Sequence, residues 1–178
     1  HIIARLANLT FDYGTFPTGF KTAQITPLLK QRGLDEADPS NYRPISNLNT
    51  ISKIIERFVL ARLVPHVSVS PSSDTMQSGY RRWHSTETAL LKITNDIFEG
   101  FDSHKSTILV ALDQSAAFDC IDHDILINRL RQTFGVTGKA LNWLTSYLNG
   151  RSSFVHYSNA SSNTSVVVPG AVTYPEYG

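Results

Sequence analysis

The residue type best placed to do chemistry is the acid at Asp113. It closes the apolar run Thr107 to Leu112, whose β-branched and aliphatic residues suit both faces of a buried strand. Small residues and the aromatic Phe118 follow, and Asp119, Asp122 and Asp124 then lead into a helical periodicity. A carboxylate at the end of a core strand offers hard oxygens on a rigid base. Mg²⁺ is held by one or two such carboxylates together with substrate phosphates, so this placement suits phosphoryl or nucleotidyl transfer. The competing reading makes Asp113 a turn former or a helix cap, because a strand followed by Asp recurs in α/β proteins.

A second stretch, Met76 to Ser85, interleaves Arg81 and Arg82 with Tyr80, Trp83 and His84. Aromatic faces stack on bases while guanidinium groups reach phosphates, which suits single-stranded nucleic acid. An ordinary exposed loop anchored by Trp83 fits the composition equally well.

The elements that must position these residues follow from spacing. Ile2, Ile3, Leu6 and Leu9 form the face of a helix stopped by Tyr13-Gly14 and Pro17. Gly19 to Lys30 reads as a strand pair interrupted at Pro27, and Gln31 to Asn41 as a polar surface loop. Ile51, Ile54, Ile55, Phe58, Val59 and Leu63 share a helix face that should end before Pro65, with Lys53, Arg57 and Arg62 on solvated flanks. A Ser-rich connection, Val67 to Thr75, comes next. Ser85 caps a helix that places Ala89, Leu90, Ile93 and Ile97 inward and ends at Gly100. Asp122 caps another that is stopped by Gly135. Thr137 opens a third, with Leu141, Leu144, Tyr147 and Leu148 inward and Trp143 in core or rim, closed by Asn149-Gly150. Ser153 to Tyr157 and Thr164 to Val168 form a hairpin, and Pro169 to Gly178 has no periodicity.

A chain of 178 residues supports one core or two closely packed subdomains. The formal net charge is +1, so any basic surface must arise from local clustering. The lone Cys120 excludes an intrachain disulfide, makes a cysteine zinc site unattractive, and reads as a small buried apolar residue. There is no secretory leader pattern and no apolar run of membrane-spanning length. The first residue is His and a helical spacing is already running at Ile2, so the sequence reads as cut from something longer.

Taken in order, seven blocks resemble the reverse transcriptases of non-LTR retrotransposons, in particular the LINE-type elements of animals in the jockey and CR1-like groups. They are Phe16-Pro17 with Phe20-Lys21, Asn41 to Leu48, Ser52 to Arg57, Gln77 to Arg81, His84 to Leu90, Leu112 to Asp119, and Trp143 with Ser146 to Leu148. The resemblance implies an α+β chain of the right-handed polymerase fold, with fingers over 1–104 and a partial palm over 105–178. It implies RNA-directed DNA synthesis from dNTP on an RNA template and DNA primer, with two divalent ions, Mg²⁺ or Mn²⁺. It implies a nuclear or cytoplasmic protein with no membrane association. By the same resemblance Asp113 is the first metal-binding aspartate, and the backbone carbonyl of Gln114 serves the same ion. Phe118 is the ring that rejects a 2′-hydroxyl, Arg43 contacts the triphosphate with Lys21 assisting, and Gln77, Arg81 and Arg82 lie along the template. Asp119 is supporting.

The departures matter as much. The Gly-x-Pro-Gln-Gly loop and the paired aspartates that the family carries after the hairpin are not reproduced by Val168 to Gly178. An apolar residue is usual where Gln114 stands, and Phe where Tyr80 stands. The palm is therefore expected to be incomplete, with the remainder of the polymerase domain as a missing partner and the chain inactive alone. The alternative is a non-catalytic nucleic-acid-binding remnant. A small Mg²⁺ enzyme built on Asp113 would account for one block and leave six unexplained.

Overall fold

Five helices and a small mixed sheet make an α+β structure in the computed structural model, which describes residues 2–114, 117, 120–157 and 160–166. In chain order they are α1 (Ile2–Tyr13), β1 (Thr22–Leu29), β2 (Tyr42–Asn47), α2 (Thr50–Ser68) and α3 (Thr86–Asp102). These are followed by α4 (His123–Gln132), α5 (Gly138–Leu148), β3 (Ser152–Tyr157), β4 (Ala160–Ser161) and β5 (Ser165–Val166). The chain divides into two compact units, His1–Ser70 with Ala116–Gly178, and Pro71–Ser115.

In the first unit the local signals act as their chemistry requires. The chain leaves α1 through Gly14 at φ 64°, and a Cβ there would crowd the Lys139 carbonyl at 3.1 Å, so glycine also lets α1 meet the first turn of α5. Asn49 caps α2 by accepting from the Ile51 amide at 2.8 Å. Asp122 caps α4 by accepting from the amides of Asp124 and Ile125 at 2.9 and 3.0 Å. The sheet runs β2-β1-β3, with β4 and β5 each antiparallel to β3. β1 is antiparallel to β2 and parallel to β3. The expected hairpin is present to Val166, and Val167 and Val168 lie outside the described residues.

Two proline expectations are corrected. Gly19 to Lys30 is one strand preceded by a 3₁₀ turn, Thr18–Phe20, and Pro27 does not interrupt it. Pro27 faces Pro44, and the Lys30 amide donates to Asn41 O at 2.8 Å, which by antiparallel alternation makes the proline pair a non-hydrogen-bonded one. β3 pairs only with Thr22 to Ile25, so neither edge of β1 needs an N–H from Pro27. Likewise α2 continues through Pro65 to Ser68. An interior proline costs about 3 kcal/mol. Past it, His66 Nε2 donates to the Phe134 carbonyl at 2.6 Å and fixes the last turn. Cys120 is exposed, not buried, because it sits in the surface turn ahead of the Asp122 cap.

The core of the first unit gathers Ala7, Phe16, Ile55 and Trp143 from α1, the following loop, α2 and α5. Trp143 stacks on Tyr147 with centroids 5.4 Å apart and planes 6° from parallel, and Phe16 meets both rings edge-on. Such pairs add about 0.5–1.5 kcal/mol each beyond their area. The indole N–H donates to Thr10 Oγ1 at 3.2 Å, so the buried Trp leaves no polar atom unpaired.

The second unit is built differently. Ser85 and Thr88 form a reciprocal capping box at the start of α3, and Lys92 and Asp96 pair on its surface. The helix does not stop at Gly100. That residue leaves room for Thr107, whose Oγ1 would lie 2.6 Å from an added Cβ, while the Lys105 amide donates to Gly100 O. Leu90 and Ile93, expected inward, are exposed, and Ala89 and Ile97 are only half-buried. The run Thr107 to Leu112 is not a strand and is not buried, with Ile108 87% and Leu112 91% exposed. A strand needs a neighbour to complete its ladder, and none pairs with this run among the described residues.

Candidate nucleotide and nucleic-acid site

Asp113 lies in the second unit, exposed, with its Oδ1 accepting from the Gln114 amide at 3.0 Å. The bond reaches only the adjacent amide, and no turn or helix cap forms at Asp113 among the described residues. An exposed carboxylate oxygen is the donor type that a hard divalent ion takes. Among the described residues no group of three His, Cys, Asp or Glu gathers to hold a metal. Phe118 and Asp119 lie outside the described residues.

The basic and aromatic loop belongs to the same unit. Asp74 starts it as a turn residue, its Oδ1 accepting from the Met76 amide at 2.8 Å. Arg81 folds back so that one guanidinium N–H donates to Thr75 O at 2.7 Å. Gln77 Nε2 donates to Gly79 O at 3.3 Å, and Arg82 stacks over the Trp83 ring at 4.7 Å. Tyr80 and Trp83 sit at φ 60° and 67°, a left-handed conformation that costs bulky residues about 1–3 kcal/mol each. In return the rings stand outward, 93% and 82% exposed. Three of the expected nucleic-acid contacts thus share one loop with two aromatic faces.

Arg43 and Lys21 belong to the first unit and have opposite surroundings. Arg43 is exposed on β2, across from Leu28, and its guanidinium has no hydrogen bond or ion pair among the described residues. Lys21 is 8% exposed, and its Nζ donates to the Asn149 carbonyl at 2.9 Å, closing the end of α5. Burial, and after it the Arg151 charge, holds the Lys21 ammonium below the ordinary lysine value. The expected assistance to a triphosphate therefore meets an ammonium already engaged inside the scaffold.

The function of several quoted motif residues was not legible in the sequence. Ser52 is fully buried and donates to Glu56 Oε1 at 2.8 Å. Burial first, and then the Glu56 charge, push the Tyr147 hydroxyl above the ordinary tyrosine value. Arg151 lies 4.6 Å over the Tyr147 ring and donates to its carbonyl, and Ser146 Oγ accepts from the Phe16 amide at 3.0 Å. Three of the seven blocks therefore meet in one internal network that joins α2, α5 and the lead into β1. The available signal was chemical type: a Ser and a Glu one helical turn apart on an otherwise apolar face ask for a buried partner.

With this geometry in view, residues 29–173 match the family described as reverse transcriptase (RNA-dependent DNA polymerase). The chain belongs to that family. It is 31% identical over 160 residues to a probable RNA-directed DNA polymerase from transposon BS of Drosophila melanogaster, covering 90% of this chain and 17% of the relative. It is 32% identical over 155 residues to the corresponding X-element protein of the same fly, covering 87% and 17%. With the RNA-directed DNA polymerase from mobile element jockey it shares 30% over 132 residues, covering 74% and 14%. The chain thus spans about one sixth of the length of these non-LTR retrotransposon relatives. Among the described residues no helix is long and apolar enough to cross a membrane.

Proposed function

We propose that this stretch supplies the fingers, over 1–104, and the first catalytic carboxylate of a partial palm, over 105–178, of an RNA-directed DNA polymerase. The substrates are a dNTP, a DNA primer and an RNA template. The observation that carries the reading is the family match over 29–173, a range that takes in Arg43, Gln77, Arg81 and Asp113. In such a reaction the primer 3′-oxygen attacks the α-phosphorus and pyrophosphate leaves, so the protein's work is positioning and charge. Two divalent ions, when bound, supply stabilisation of charge on the attacking and leaving oxygens. Asp113 and the Gln114 carbonyl are the residues that would hold one of them. Arg43 donates its forked N–H groups to the triphosphate. Phe118 rejects a ribose by clash with its 2′-hydroxyl. Arg81 and Arg82 neutralise template phosphates, Gln77 lies beside them, and the Tyr80 and Trp83 faces accept bases. Lys21 holds the scaffold and does not take phosphate.

The sequence contains no adjacent pair of aspartates, so as a 178-residue polypeptide it binds without turning over. The test is titration of a labelled RNA/DNA primer-template across a salt series, with Arg43→Ala and Arg81→Ala beside it. The expected outcome is salt-sensitive binding whose slope falls by about one for each lost phosphate contact. Absence of binding by a folded sample overturns the proposal. Primer extension with Mg²⁺ that vanishes in Asp113→Asn overturns the assignment of binding without turnover.

A further inference from the structure

The first unit carries a groove that plays no part in the reading above. It holds about 490 Å³ between the end of α1, the second half of α2, the α4–α5 turn and the start of α5. Its floor is apolar, built from Phe11, Val59, Leu63, Val136 and Leu144. Its rim is basic. Arg62 and Lys139 are both exposed, neither has a carboxylate partner among the described residues, and no acidic side chain lines the groove. Arg62 lies 5.2 Å over the Phe11 ring, which holds the cation beside the floor. Thr137 lines the same end and makes no side-chain bond to cap α5, so the first amides of that helix add to the positive side.

The opening decides between a small ligand and a chain segment. Small-molecule sites enclose about 70–90% of their ligand. Here Arg62, His66, Gly135, Thr137, Lys139 and Ala140 line the groove and are all exposed, so one whole side stands open. Such an open trough with an apolar floor suits apolar side chains one helical turn apart, laid in from a peptide whose backbone stays outside. The uniformly positive rim selects acids beside those anchors.

We propose that this groove docks an acidic amphipathic peptide segment of a partner protein, with its apolar side chains on the Phe11, Leu63 and Leu144 floor and its carboxylates at Arg62 and Lys139. The probe is a fluorescein-labelled peptide with leucines at helical spacing and glutamates between them, set against a twin with lysines in place of the glutamates. Fluorescence anisotropy with the full 178-residue chain is expected to show saturable binding of the acidic peptide and none of the basic one. The paired reversal Arg62→Glu with Lys139→Glu changes exposed positions only. It is expected to weaken the acidic peptide at least about tenfold and to admit the basic twin. Lys139→Glu alone, which leaves the stack of Arg62 on Phe11 in place, is expected to shift both peptides in the same directions by less. Equal binding of both peptides overturns the charge selection. No binding of either overturns the site. A single-stranded oligonucleotide that binds and is lost in the paired reversal, while the acidic peptide does not bind, overturns it in favour of a nucleic-acid contact.

Discussion

The two units use the family's motif residues in opposite ways. In the first, Phe16, Lys21, Ser52, Glu56, Trp143, Ser146 and Tyr147 turn inward and find partners within the unit. In the second, Gln77, Tyr80, Arg81, Arg82, Trp83 and Asp113 all face water. The difference shows that the motif residues of this chain are of two kinds. One kind builds the scaffold and is spent on its own neighbours. The other stands in solvent, at the cost of strained backbone and exposed rings. The split is not strictly by unit, since residues 43–47, Lys53 and Arg57 of the first unit stand outward and Ser85 and Thr88 of the second cap their own helix.

The strongest way to break this comparison is to truncate the inward kind. Trp143→Ala removes a ring that packs on Phe11, Phe16 and Tyr147 and leaves Thr10 Oγ1 without its indole donor. A loss of about 3–5 kcal/mol is expected, read as a shift of the denaturant midpoint. A shift near zero would mean that the aromatic cluster is not the core it looks to be.

The inward kind also sets an alkaline signature. The folded Lys21 gives up its proton more readily than the unfolded chain, so below 10.5 the unfolded chain binds more protons and stability rises with pH. Tyr147 keeps its proton longer when folded, so the folded chain binds more protons above 10.0 and stability falls as pH climbs past that value. Tyr147→Phe is therefore expected to remove the fall and leave the rise. Its overall offset in Tm, from the lost hydroxyl, does not affect the slope. A Tm slope above pH 10.0 that matches the unaltered chain would refute the burial of this hydroxyl.

In the second unit, helix α3 buries little and must rely on local bonds. Ser85→Ala breaks the capping box that satisfies the Thr88 amide at 3.2 Å. About 0.5–2 kcal/mol is expected, expressed as early exchange of the α3 amides and not as a shift of the main unfolding transition. Movement of the whole transition would show that the two units unfold as one.

How much of this was legible follows the range of the forces involved. Caps at Ser85 and Asp122 and the stop at Gly14 are local, written in one side chain and the amides two or three residues on; the Asn49 cap was equally local but went unread. The polymerase family was legible because seven blocks keep their order. Long-range facts were not. Pro27 is harmless only because Pro44 faces it, and Pro65 is tolerated beside a tie from His66 to a carbonyl 68 residues away. The apolar run ending at Asp113 has strand composition, yet composition cannot supply the neighbouring strand that would complete its ladder. Lys21 looked like a phosphate ligand because its partner, a backbone carbonyl 128 residues on, leaves no trace in side-chain pattern. Phe118 and Val167 onward lie outside the described residues, so those expectations carry over as proposals.

The smallest expected effect on stability falls on Arg82, and that makes it the most discriminating. Its guanidinium lies over an exposed Trp83 ring in a loop, and no ion pair holds it among the described residues. An exposed cation–π contact between two solvated groups contributes little to folding, so Arg82→Ala is expected to leave Tm unchanged. If the outward kind of motif exists for ligands, the same change must still weaken primer-template binding and lower the salt slope by about one. Arg82→Lys keeps the charge but loses the planar stack, so it should retain the slope while binding less tightly. An Arg82→Ala variant that melts lower and binds unchanged would reverse the assignment and make this loop part of the scaffold.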